Sequence, residues 1–127
     1  MDDFPADLKR FVESHISSVA QLELLLLLRS NVDKTWTPEE AAKSLYTAPD
    51  IVAGQLAELH QRGLLALLQN PGPGYRYLPT SPELADLVSR LGEFYKERRV
   101  SVITLIYSQP LDKVRTFADA FRLRKEP

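Results

Sequence analysis

No cysteine occurs among the 127 residues, so disulfides, thiolate metal sites and cysteine nucleophiles are excluded. The absence fits a reducing compartment. Histidine is scarce as well: His15 and His60 fall on different predicted helices, with no third group at metal-ligand spacing. No acid, base and nucleophile stand out as a set. Glu39 and Glu40 are accounted for by helix capping and the helix dipole before any acid–base role. The Pro-Gly-Pro-Gly stretch at 71–74 lacks the Lys-Ser/Thr of a phosphate loop and leads into a strand. The expectation is a protein with no enzymatic activity, no metal and no cofactor. Long apolar runs are missing too. None exceeds five residues, as in the leucines at 24–28, whereas a membrane span needs about 20. Asp2, Asp3 and Asp7 stand where a signal peptide would be basic. A cytoplasmic protein without membrane contact is expected.

Positive charge is sparse over most of the chain. Residues 1–89 hold seven Lys/Arg against twelve Asp/Glu, and residues 90–127 hold nine against five. The formal net charge of −1 therefore hides an acidic body and a basic tail. Such a tail suits self-association, DNA contact or an acidic partner, or is simply the solvated side of long helices.

What is present is an ordinary apolar fraction of 44%, enough for one domain, or one small domain with an extension. The pattern is nearly all helical. Pro5 suits a first helical position, and Leu8, Phe11, Val12 and Ile16 stripe a helix ending near His15. Ser18 and Gln21 form a capping box, with the Gln21 side chain returning to Ser18, and open a second helix to about Arg29. Its five leucines cover every face, so it should be the central core helix. Residues 33–36 read as a connector or a one-bridge strand at the edge of a small sheet. Thr37, Pro38 and Glu40 make the strongest helix start, for a third helix to Leu45 or Tyr46.

Residues 47–78 organise the rest. Thr47 is the N-cap expected for a fourth helix, with Val52, Leu56 and Leu59 as its single apolar stripe. Gly63 can take the left-handed conformation that stops it. Residues 64–69 and 75–78 then read as two strands around the turn at 70–74. Beyond Pro82, one long helix carries Leu84, Leu87, Leu91, Phe94 and Tyr95, and resumes with Val102, Leu105 and Ile106. A strand over residues 100–107 is the alternative; helix is preferred because a strand there has no evident partner. Leu111, Val114, Phe117, Ala118 and Phe121 stripe a last helix.

The segment from Trp36 to Leu78 resembles the winged-helix domains of bacterial transcriptional regulators, in the broad manner of the MarR-like and PadR-like groups. Thr37-Pro38-Glu39-Glu40-Ala41-Ala42 carries the resemblance at the first helix of the motif. Leu56-Ala57-Glu58-Leu59-His60-Gln61-Arg62-Gly63-Leu64-Leu65 carries it where a recognition helix enters the wing. The resemblance implies a mainly α, winged helix-turn-helix fold with a small β-hairpin wing. To it are added an N-terminal helix and two C-terminal helices. Residues 1–80 would form the core and residues 81–127 a helical extension. It also implies a DNA-binding transcriptional regulator whose second motif helix lies in the major groove. Carried over, the exposed reading positions are Pro49, Asp50, Ala53, Gly54, Ala57, His60 and Gln61. Lys43, Thr47 and the wing residue Arg76 would add contacts from outside that helix face.

The C-terminal apolar stripe is more than a small winged helix needs for itself, and a homodimer is expected to use it. The interface residues would be Leu91, Phe94, Tyr95, Val102, Leu105, Ile106, Phe117 and Phe121. The alternative is that the last helix folds back over the first. The reading helix itself departs from what DNA wants. Asp50 and Glu58 outnumber Arg62 over residues 47–62, although Lys and Arg supply most non-specific affinity. A protein-interaction module that keeps the winged-helix shape, meeting a protein partner through Ala53, Gly54 and Ala57, is therefore the second reading.

Overall fold

The computed structural model describes residues 4–69 and 72–108. In chain order the elements are α1 (Ala6–His15), α2 (Val19–Arg29), α3 (Pro38–Leu45), α4 (Pro49–Gln61), β1 (Leu65–Leu68), β2 (Gly74–Tyr77) and α5 (Pro82–Glu97), followed by α6 (Arg99–Ser108). Helices with one small hairpin are the architecture that the periodicity predicts.

Burial explains why these segments pack as they do. Leu22, Leu24, Leu25 and Leu28 of α2 have no exposed surface, and Leu26 and Leu27 are half-buried, so α2 is the helix around which the core assembles. Leu8, Phe11 and Val12 of α1, Ala41 and Ala42 of α3, and Val52, Leu56 and Leu59 of α4 are buried in the same cluster. Val88, Leu91 and Tyr95 of α5 and Val102 and Ile106 of α6 belong to it too. No single helix among the described residues is long and apolar enough to cross a membrane, and the apolar pair α1 and α2 is bent by 102°.

The caps are local and mostly follow the sequence. Thr37 accepts from the Glu40 N–H at 3.1 Å while the Glu40 carboxylate accepts from the Thr37 N–H at 3.1 Å, a complete capping box. Ser18 accepts from the Gln21 N–H at 3.0 Å, but the Gln21 side chain returns to the Ser17 N–H at 2.8 Å rather than to Ser18. Thr47 is not the cap of α4. Ala48 holds that place, without a side-chain cap. Pro49 at the first helical position holds its predecessor in extended backbone, which moves the cap to Ala48. The Thr47 N–H instead donates to the Ala42 carbonyl at 3.0 Å.

The wing is antiparallel, with Leu65 opposite Tyr77 and Leu67 opposite Tyr75. Trp36 adds the single bridge expected of its segment: its N–H donates to the Tyr75 carbonyl at 2.7 Å and its carbonyl accepts from the Tyr75 N–H at 2.8 Å. Two glycines are required here. Gly63 has φ 85°, the left-handed stop that the sequence predicts, and a Cβ on Gly74 would stand 2.6 Å from Thr35 Cγ2.

The single long C-terminal helix is not what forms. Arg98, at φ −127° and ψ 51°, separates α5 from α6. The break lets α6 set its own stripe, Val102 and Ile106, into the core. The expected last helix, with Phe117 and Phe121, lies outside the described residues.

Candidate nucleic-acid interface

The α3–α4 corner sets the site. α3 ends at Tyr46, which adopts the left-handed conformation, φ 56° and ψ 48°. This turns the chain sharply enough for α4 to start at Pro49. A non-glycine residue in that region carries a strain of about 1–3 kcal/mol. Val52, Leu56 and Leu59 then anchor α4 to the core with no exposed surface. The opposite face is left open: Pro49, Asp50, Gly54 and Gln61 are exposed, and Ala53 and Ala57 half-buried. Lys43 and Thr47 are exposed beside them, and Arg76 is half-buried on β2. The structure thus brings most of the expected reading positions to one outer surface, between the α3–α4 turn and the wing.

His60 sits differently. Its Nδ1 donates to the Leu65 carbonyl at 2.8 Å, and its ring meets Tyr75 edge-on at 6.2 Å. The imidazole fastens α4 to the wing and leaves Nε2 for any outside contact. Tyr77 is buried at 9% exposure, and burial holds its phenol above the usual range, so base stacking on Tyr77 is closed off.

Arg62 is turned inward. Its Nη1 donates to the His15 carbonyl at 2.8 Å and to Gln21 Oε1 at 3.1 Å, and its Nη2 lies 3.7 Å from Glu58. Gln21 is the buried polar residue of the core, and its Nε2 donates to Glu58 Oε1 at 2.9 Å. This brace ties the end of α4 to the α1–α2 corner. It also draws the arginine, together with its partner Glu58, to the brace side, so Asp50 is the charge that the outer face of α4 presents. Sequence reading missed this role for Gln21 and Arg62; the available signal was a glutamine inside an otherwise leucine-rich buried helix. Lys34 is likewise engaged, with Nζ 4.1 Å from the Trp36 ring centroid, a cation–π contact that leaves the ammonium at the surface. Burial lowers the His15 pKa, and the nearby Arg62 guanidinium adds to the effect.

The expected dimer residues divide in two. Leu91, Tyr95, Val102 and Ile106 are at most 4% exposed within the single chain, so they fasten α5 and α6 to the body and have almost no surface left for a partner. Tyr95 is further fixed by donating to Glu23 Oε2 at 2.7 Å, and burial, then Glu23, pushes its phenol up to about 12. Phe94 packs on Phe4 with centroids 4.6 Å apart. Leu105 lines a groove of about 530 Å³ with Phe4 and Val100 and with the polar Lys9, Ser101, Thr104 and Ser108. Val100 and Tyr107, at 76% and 68% exposed, are the apolar residues that α6 leaves in solvent.

A helix–turn–helix whose second helix presents an open face, followed by a two-stranded hairpin to which Trp36 adds a single bridge, is a winged helix-turn-helix. No protein-family model and no curated protein matches the sequence. Solved structures do match. A homodimeric winged helix-turn-helix DNA-binding domain from Mycobacterium bovis, described as a possible ArsR-family transcriptional regulator, has a TM-score of 0.55 at 17% identity, over 77% of this chain and 93% of that one. Wild-type MarR from E. coli has 0.53 at 18% identity, over 94% and 86%. A transcriptional regulator from Thermotoga maritima has 0.51 at 17%, over 92% and 85%. The fold is that of MarR-like winged-helix regulators.

Proposed function

We propose that the protein is a DNA-binding transcriptional regulator acting as a homodimer. The observation that carries this reading is the outer face of α4, left open by the rest of the chain in a fold shared with DNA-binding regulators. In this reading α4 lies in the major groove. Asp50, Ala53, Gly54, Ala57 and Gln61 face the base edges, with Pro49 at the entry and His60 Nε2 at the exit. Phosphate contacts come from Lys34, Lys43 and the wing residue Arg76, with the Thr47 hydroxyl beside them. The dimer forms along the α1–α6 groove, through Leu105, Val100 and Tyr107 with Phe94 at its edge; Leu91, Tyr95, Val102 and Ile106 support that face from inside. The M. bovis domain is itself homodimeric, which supports the same assembly here.

The test is direct. Purified protein is titrated into a labelled duplex covering the region upstream of its own gene, with sedimentation run in parallel. Salt-sensitive binding by a dimer is the expected outcome. A monomer well above the assay concentration removes the dimer, and no shift at low salt removes DNA binding.

The inward turn of Arg62 favours a second reading, a winged helix that meets another protein through the neutral patch of Ala53, Gly54 and Ala57. Clear duplex binding together with an empty pull-down would reject it.

A further inference from the structure

Tyr46 carries two features whose combination in a tyrosine nothing among the described residues accounts for. It is the one non-glycine residue with positive φ among those described, and it is 95% exposed. The backbone at that turn needs the left-handed conformation, which glycine or asparagine adopts with less strain. A tyrosine there places an amphipathic ring in water with no intramolecular contact among the described residues to stabilise it. A strained residue whose side chain makes no internal contact points to function outside the chain.

We propose that Tyr46 is a DNA-backbone contact, its phenol O–H donating to a phosphate oxygen at the flank of the groove that α4 enters. This rests on the DNA-binding reading above and extends it to a residue not counted among the reading positions. The surroundings choose phosphate over a protein. Lys43, one helical turn earlier, is exposed, and so are Ser44 and Thr47. Lys43 is the cation nearest in sequence, and although Ile51 is exposed farther along α4 and Asp50 adds an acid, the polar residues flanking the ring differ from the packed apolar pocket that anchors protein partners. Tyrosine is among the side chains that bind phosphate by hydrogen bonding. As a neutral donor it adds affinity without adding to counterion release, which suits a reading face with so few free cations.

The experiment compares wild type, Tyr46→Phe, Tyr46→Asn and Lys43→Gln on a fluorescein-labelled random-sequence duplex, by anisotropy over a range of salt concentrations, with thermal melts of each protein. Tyr46→Phe, which removes only the hydroxyl, is expected to weaken binding by about tenfold, the scale of a hydrogen bond to a charged group. Its slope of log K against log salt should match wild type, whereas Lys43→Gln, losing one phosphate contact in each of the two protomers, should make the slope shallower by about 2. Tyr46→Asn should bind at least as weakly as Tyr46→Phe while melting a few degrees higher, roughly 3 °C. Weaker binding from a more stable protein separates contact from structural damage. If wild type binds and both Tyr46 variants bind equally well, this inference is overturned and the DNA reading stands. If wild type does not bind duplex at low salt, both fall.

Discussion

α2 and α4 pack against one another and meet the rest of the molecule in opposite ways. α2 hides Leu22, Leu24, Leu25, Leu28 and even Gln21. α4 hides one stripe, Val52, Leu56 and Leu59, and leaves proline, acidic, small and polar residues and one large hydrophobic, Ile51, open to solvent. A helix enclosed by its own chain has its composition set by packing. The open face of α4 has no such internal reason, and Gly54 makes the point: a Cβ built there meets nothing within 4 Å. A glycine in a helix interior costs about 1 kcal/mol relative to alanine, and no internal contact requires it.

The comparison can be broken by substitution, starting with the enclosed helix. Leu25→Ala should lower unfolding free energy by about 2–5 kcal/mol in urea denaturation, because the side chain is fully enclosed and the cavity closes only partly. A loss below about 1 kcal/mol would mean α2 is not the packing centre. Gln21→Ala should cost about 1–3 kcal/mol, since it empties a fully buried site and takes a hydrogen-bond partner from the half-buried Ser17 N–H and Arg62 guanidinium. Gly54→Ala should instead stabilise by roughly 0.5–1 kcal/mol. A destabilising Gly54→Ala would show that the outer face has an internal role after all.

The smallest effect is a pH dependence. The folded-state pKa of His15 is lowered, first by burial and then by Arg62. A depressed pKa means that the folded protein disfavours the protonated ring. The stability it contributes is complete above the unfolded value of about 6.5 and is lost as pH falls through the lower folded value. Asp7, whose pKa is lowered by its hydrogen bond from Arg90, adds a separate loss in the acid range, below the ordinary carboxylate pKa. Thermal melts should therefore fall between neutral and mildly acid pH, and His15→Gln should flatten that part of the profile while leaving the acid limb in place.

The features legible in the sequence were those written locally. The capping box at Thr37–Glu40, the stripe of Val52, Leu56 and Leu59 and the Gly63 stop each depend on residues a few positions apart, and the structure has them. The α5–α6 break was not legible, because Arg98 carries none of the marks of Gly or Pro. The inward turn of Arg62 was hidden for a different reason: its partners His15 and Gln21 lie 47 and 41 residues away. Periodicity likewise cannot tell burial in one's own core from burial against a second copy, so Leu91, Tyr95, Val102 and Ile106 looked like interface. Tyr46 looked like an ordinary turn residue, since nothing in the local pattern announces both strain and full exposure.

The most direct measurement is the salt dependence of duplex binding by the intact protein. With Arg62 withdrawn into the brace, Lys34, Lys43 and Arg76 from each of two protomers leave a log K against log salt slope of about −5. Removing Arg62 by Arg62→Ala should weaken the fold without changing that slope. Absence of duplex binding at about 50 mM salt, or a slope that becomes shallower in Arg62→Ala, would contradict the assignment of α4 and its neighbours as the DNA-contacting surface.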